Sequence, residues 1–187
     1  VDLYQAISMD GPVSVEQFSA SIHHNSFKLL TGLSGIFNGT PGQIAQAIYH
    51  QTGKRINIAH NTYNGDVSGV AATKGDGLVL STAVGGTYIG NSVINFENEG
   101  IYVTRSQTKY AIEAPTVISN NTFSNGGTTS IGIRSDESNV IIANNVITEC
   151  QGGISCYLSD NSIIPSGPNV HGNLVKMKGG YSSGRSV

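Results

Sequence analysis

Residues 141–155 read IIANNVITECQGGIS. Two adjacent amides, Asn144 and Asn145, separate one short apolar run from the next. Five related segments occur along the chain: IHHNSF (22–27), IAHNTY (58–63), YIGNSV (88–93), ISNNTF (118–123) and VHGNLV (170–175). Aligned with IANNVI (142–147), each reads apolar, any, small or polar, Asn, any, apolar. The aligned residues are Asn25, Asn61, Asn91, Asn121, Asn145 and Asn173. Their steps are 61−25 = 36, 91−61 = 30, 121−91 = 30, 145−121 = 24 and 173−145 = 28 residues. A period in this range is the signature of a solenoid.

A second feature follows each aligned Asn by seven to ten residues: a Gly or Ser, then alternating apolar residues. The examples are Gly35-Ile36-Phe37, Gly69-Val70-Ala71, Gly100-Ile101-Tyr102-Val103, Ser130-Ile131-Gly132-Ile133, Gly153-Ile154-Ser155-Cys156 and Gly180-Tyr181. Period-two alternation predicts strands. The residue before each aligned Asn is His24, His60, Gly90, Asn120, Asn144 or Gly172. These are residue types that tolerate positive φ, so the column predicts one left-handed bend per coil. The aligned Asn itself both donates and accepts, and a stack of them bonds coil to coil every ~4.8 Å. Such a ladder enforces register, because an unpaired buried amide costs more than each bond's net ~1 kcal/mol.

Composition agrees. Only 12% of the residues are charged, while Gly numbers 24 and Trp is absent. That charged share is about half the usual one and, with abundant turn formers, fits an all-β chain better than a helical bundle. A net charge of -2 gives no electrostatic case for nucleic acid or an anionic membrane. No apolar run approaches the ~20 residues of a membrane span. Cys150 and Cys156 are read as free thiols rather than a disulfide framework, with Cys156 on an inward strand position.

Short strands, an Asn-ladder bend and coils of 24–36 residues resemble the right-handed parallel β-helix of the pectate-lyase-like superfamily. That group holds polysaccharide lyases, galacturonases, epimerases and bacteriophage tailspikes. The resemblance covers roughly residues 20–181, is specific for the fold, and says little about activity because the motif is architectural. The fold expected is an all-β, single-stranded right-handed parallel β-helix of about six coils, with residues 21–187 as the β-helix domain and 1–20 as an N-terminal cap or entry segment. The chain opens without Met and ends mid-coil, which reads as a segment of a longer β-helix. One short helix is expected in the insertion GTPGQIAQAIYHQTG, residues 39–53. There Thr40 caps, Pro41 takes the first turn, Gly53 stops, and Ile44 and Ile48 share a face.

Residues at equal offset from the ladder stack into surface columns, and two columns carry charge. The first holds Lys74 and Asp76, Arg105 and Gln107, Arg134, Asp136 and Glu137, then Asp160. On that counting Asp136 and Asp160 lie ~5 Å apart on adjacent coils. Such carboxylate separations serve glycoside hydrolysis. A lyase instead needs a base such as Arg105 or Arg134, with carboxylates holding Ca²⁺. The second column holds Asp66, Glu97, Glu99 and Glu149, with Asp66 and Glu97 as an acid–nucleophile pair. The candidate catalytic residues are therefore Asp76, Asp136, Asp160, Asp66 and Glu97, and the candidate substrate contacts are Lys74, Arg105, Arg134 and Tyr102. Charges on a solvated turn account for both columns as well. Tyr63, Tyr88, Tyr102, Tyr110 and Tyr157 are the aromatic supply for stacking on sugars; Tyr102 faces outward if Ile101 points in. His24 and His60, with His23 beside them, share a column that the bend alone explains, so no metal site is assigned.

By resemblance, the leading expectation is a tailspike-type protein that recognises and cleaves bacterial surface polysaccharide. It would be a homotrimer on a virion tail or otherwise extracellular, with no nucleic acid, no membrane insertion and no cofactor. A secreted lyase, hydrolase or epimerase, with Ca²⁺ if a lyase, and a non-catalytic structural or adhesive solenoid are the alternatives.

Overall fold

The structure, a computed structural model, describes residues 5–9, 19–28, 46–50, 56–65, 77–81, 85–104, 115–136, 139–157 and 167–179. These residues form eighteen strands in three parallel sheets. The first sheet stacks β1 (Gln5–Met9), β4 (Gln46–His50), β7 (Gly77–Ser81), β10 (Glu99–Val103), β13 (Ile131–Ser135) and β16 (Gly152–Cys156). The second stacks β2 (Ser21–His23), β5 (Asn57–Ala59), β8 (Thr87–Ile89), β11 (Thr116–Ser119), β14 (Val140–Ala143) and β17 (Asn169–His171). The third stacks β3 (Ser26–Lys28), β6 (Thr62–Asn64), β9 (Ser92–Ile94), β12 (Thr122–Ser124), β15 (Val146–Cys150) and β18 (Leu174–Met177). Each coil contributes one strand to each sheet, so the chain winds as a parallel β-helix of six coils.

Three in-register columns fill the interior. Ile7, Ile48, Val79, Ile101, Ile133 and Ile154 stack from the first sheet. Ile22, Ile58, Tyr88, Ile118, Ile142 and Val170 stack from the second. Phe27, Tyr63, Val93, Phe123, Ile147 and Val175 stack from the third. β-Branched and aromatic side chains suit this arrangement because neighbours along a column meet at the strand spacing. Tyr63 and Tyr88, expected among the sugar contacts, belong to this core, with exposures of 4% and 0%.

The ladder runs the full length. The backbone N and Nδ2 of Asn61 both donate to Asn91 Oδ1, at 2.9 and 3.1 Å. Its second Nδ2 hydrogen goes to the Ile22 carbonyl at 2.9 Å. The same donations run from Asn25 to Asn61, Asn91 to Asn121, Asn121 to Asn145 and Asn145 to Asn173. His24, His60, Gly90, Asn120, Asn144 and Gly172 all have positive φ, between 54° and 67°. The bend column read from the sequence is thus reproduced at every coil.

Two expectations fail. Residues 46–50 of the expected helix are strand β4, with Ile48 fully buried between Ile7 and Val79. Backbone pairing to coils on both sides overrides a local helix signal from caps and a single apolar pair. Ile44 and the rest of 39–53 lie outside the described residues. The first sheet takes Gln46–His50 and Gly77–Ser81 at the places where Ile36-Phe37 and Val70-Ala71 were expected. Both thiols are free: Cys156 takes the inward strand position expected of it, stacked on Ser135 and packed against the core though only half-buried, while Cys150 is fully buried in the core.

Candidate functional site

On the outer face of the first sheet the register pairs Tyr102 with Arg134 and Arg134 with Ser155. Ile101 and Val103 point inward and are fully buried, which turns Tyr102 outward between them. The Arg134 guanidinium lies over the Tyr102 ring, its Cζ 4.5 Å from the centroid. That distance is within the range of a cation–π contact. Arg134 Nη1 donates to Glu99 Oε1 at 3.1 Å, and its Nε donates to Asp136 Oδ1 at 3.4 Å. The Tyr102 hydroxyl donates to Asp136 Oδ2 at 2.6 Å. One guanidinium therefore joins two carboxylates over an aromatic face, leaving an excess of one negative charge.

Exposure orders the group. The side chain of Arg134 is 37% exposed, Glu99 20% and Asp136 15%. Arg134 is the member most available to solvent, and each of the two acids accepts from one of its nitrogens. Burial, the hydrogen bond to Asp136 and the Asp136 charge push the Tyr102 phenol up to about 12, against the opposing effect of Arg134. Burial works to lower the Arg134 pKa, but Tyr102, Glu99 and Asp136 outweigh it, so the net shift is upward.

The register gives Arg134 and Asp136 their described neighbours. Arg134 pairs in register with Tyr102, and Asp136 follows Ser135, whose carbonyl accepts from the Tyr157 N–H. The bend between the third and first sheets varies in length. Ile131 begins its strand ten residues after Asn121 (131−121 = 10), whereas Gly152 follows Asn145 by seven (152−145 = 7). Lys74, Asp76, Arg105, Asp160 and Asp66 lie outside the described residues. Glu99, read as a loop acid of the other column, is the second carboxylate of the cluster.

Glu97 has a bracing role. Its Oε1 accepts from the backbone N and Oγ1 of Thr128, each at 3.0 Å, and from Thr129 Oγ1 at 3.3 Å. Its Oε2 is buried without a hydrogen-bond partner, in space that a Cβ on Gly127 would occupy. This holds the turn of the following coil. Glu149 makes a 3.8 Å ion pair with Lys176, both well exposed, which contributes little.

A second bend column escaped the sequence reading. Asn95, Asn125 and Glu149, each four residues past a ladder Asn, have φ of 56°, 52° and 54°. Asn95 Nδ2 donates to Asn64 Oδ1 at 2.7 Å, and Asn125 Nδ2 donates to Asn95 Oδ1, forming a shorter outer ladder. The recurrence of Gly65, Asn95 and Asn125 at this offset was the available signal.

The His24 and His60 rings stack at 5.2 Å, and His23 Nδ1 meets His24 Nδ1 at 2.9 Å. Among the described residues, no group of three or more His, Cys, Asp or Glu is placed to hold a metal ion. No helix among them is long and apolar enough to cross a membrane.

Residues 76–167 match the family model for a right handed beta helix region. No curated protein and no solved structure matches the chain significantly. The matched segment runs from β7 to β16 and contains the whole Glu99–Tyr102–Arg134–Asp136 cluster. Three parallel sheets, a continuous Asn ladder and that match make this chain a right-handed parallel β-helix.

Proposed function

We propose that this β-helix recognises bacterial surface polysaccharide in the manner of a tailspike, through the outer face of its first sheet. The observation that carries the reading is Arg134, held over Tyr102 and oriented by Glu99 and Asp136. Sugars present hydroxyls in pairs and apolar ring faces, and a guanidinium with donors to spare beside carboxylates meets both hydroxyl lone pairs and hydroxyl protons. Rigid ion pairs in the free protein lower the ordering cost of binding. Cleavage falls to Asp136, with Glu99 as the second carboxylate. Assembly as a homotrimer on a virion tail completes the proposal. A lyase reading has less support, since both acids that would hold Ca²⁺ already take Arg134.

A structural solenoid is the second reading, favoured by the way Glu99, Arg134, Asp136 and Tyr102 satisfy one another. One experiment separates them: incubation with bacterial O-antigens, capsular polysaccharides and plant uronates, with light scattering for the assembly state. A trimer that binds a bacterial polysaccharide is expected, with Arg134→Ala weakening binding at least ~tenfold, about 1.4 kcal/mol. New reducing ends that vanish in Asp136→Asn, with binding retained, would assign cleavage. An unsaturated uronate product would establish a lyase. A monomer that binds none of these glycans would leave the structural solenoid.

A further inference from the structure

Three imidazoles gather on one exposed ridge, the bend between the second and third sheets. His23 ends β2, and His24 follows it at the left-handed bend, with φ of 58°. His60 takes the same bend position one coil on, with φ of 54°. All three residues are exposed, and the cluster on the first sheet uses none of them.

Geometry divides their roles. His23 Nδ1 stands 2.9 Å from His24 Nδ1, with the two rings nearly perpendicular at 88°. Two imidazole nitrogens at that distance share a single proton, one donating and the other accepting. His60 is placed differently. Its ring stacks on that of His24, 27° from parallel and 5.2 Å away. Its Nδ1 leans over the next coil, 2.6 Å from where a Cβ on Gly90 would stand. The converging pair is therefore His23 and His24, and His60 packs against one of its rings. The backbone fixes both members of the pair: His23 is in register with Ala59, and His24 N donates to Ala59 O at 3.2 Å.

Imidazole nitrogens suit Zn²⁺, Cu²⁺ and Ni²⁺, whereas Ca²⁺ and Mg²⁺ take oxygen ligands. With metal–nitrogen bonds of ~2.0–2.1 Å, a right angle at the metal sets the nitrogens ~2.9 Å apart, and a tetrahedral angle sets them at ~3.3 Å or more. The separation of 2.9 Å between His23 and His24 fits the right angle. That is the tetragonal preference of Cu²⁺ and Ni²⁺, and Cu²⁺ stands highest in the divalent affinity order. Among the described residues no group of three His, Cys, Asp or Glu forms, so two nitrogens come from the protein and water completes the coordination.

We propose that His23 and His24 form a bidentate site for a tetragonal divalent transition-metal ion, Cu²⁺ ahead of Ni²⁺ and Zn²⁺. The ion takes the place of the proton between the two Nδ1 atoms, and that proton leaves to solvent. Stacking on His60 and the left-handed backbone hold the His24 ring ready.

The test is a copper(II) titration of the untagged chain, read by calorimetry and by electron paramagnetic resonance. One Cu²⁺ per chain is expected, with a tetragonal signal carrying two imidazole nitrogens. His23→Ala copies its register partner Ala59, and His24→Asn copies Asn120 and Asn144 at the same bend, so both variants should keep the native urea midpoint. Each should bind Cu²⁺ at least ~tenfold more weakly and show one imidazole nitrogen, while His60→Asn should keep both nitrogens. Binding by His23→Ala as tight as that of the native chain overturns the proposal, because isolated imidazoles such as His171 would then hold an adventitious ion only. So does the loss of a nitrogen in His60→Asn, which would make His60 a ligand in place of the pair.

Discussion

At the residue scale, the ladder Asn and its neighbours divide the polar work. Asn121 is 1% exposed; its Nδ2 serves Tyr88 O and Asn145 Oδ1, and its Oδ1 takes two donors from Asn91. Asn121→Ala strands several of these groups in the core, each at a cost of ~1–3 kcal/mol. Asn125 is exposed, and its loss removes one outer-ladder bond. Urea denaturation should therefore show a loss of about 3 kcal/mol or more for Asn121→Ala and under ~1 kcal/mol for Asn125→Ala. Asn125 is still not an inert control, because its left-handed backbone and its bond to Asn95 both favour the amide. Tyr102 supplies a second residue-scale expectation. Its folded pKa of about 12 lies above the ordinary value of 10.0. A raised folded pKa contributes stability that is complete below pH 10 and is lost as pH rises toward 12. In an ultraviolet titration, Tyr102→Phe should remove one ionisation that lies about two units above the ordinary tyrosine value.

At the element scale, β4 is the instructive case. Ala47 and Ile48 are buried, and the strand pairs on both sides, with β1 and with β7. Ile48→Ala removes a fully buried side chain from the centre of a column and should cost ~2–5 kcal/mol in chemical denaturation. A surface helix, with Ile48 merely covering the barrel, would lose far less. The sequence signals there were local: a capping residue, a proline and two isoleucines one turn apart. The stack supplied the hydrogen bonds and apolar neighbours that decided the outcome, and neither is visible in a fifteen-residue window. The functional cluster has the same origin. Glu99 opens β10, whereas Arg134 lies on β13 and Asp136 just beyond it, so only coil-to-coil register brings them together.

At the scale of the whole molecule, stability is a sum over coils and their interfaces. The middle coils are covered on both sides and the last described coil on one. Hydrogen exchange should be slowest at the Asn91 and Asn121 amides, whose side chains and backbone are enclosed, and fastest at Gly172 and Asn173. Uniform protection along the ladder would mean that the stack opens only as a single unit. Bound glycan should slow exchange around Tyr102 and Arg134.

The repeat by itself determined the solenoid, the six ladder asparagines and the positive-φ residue that precedes each of them. These are properties of one residue type at one place, and the physical demand repeats at every coil: an amide that both donates and accepts, or a backbone that tolerates a left-handed turn. Strand alternation likewise identified Tyr102 as outward once Ile101 faced the core. What the tertiary structure alone decided is the surface. The bends between the third and first sheets differ in length, so equal offsets from the ladder do not stack. Arg134 came to rest over Tyr102, and Glu99 came to its guanidinium from what had looked like a separate column. Interior register is enforced by a ladder amide at every coil, whereas the outer ladder is shorter, and the residues that meet on the surface are settled by the path of each loop.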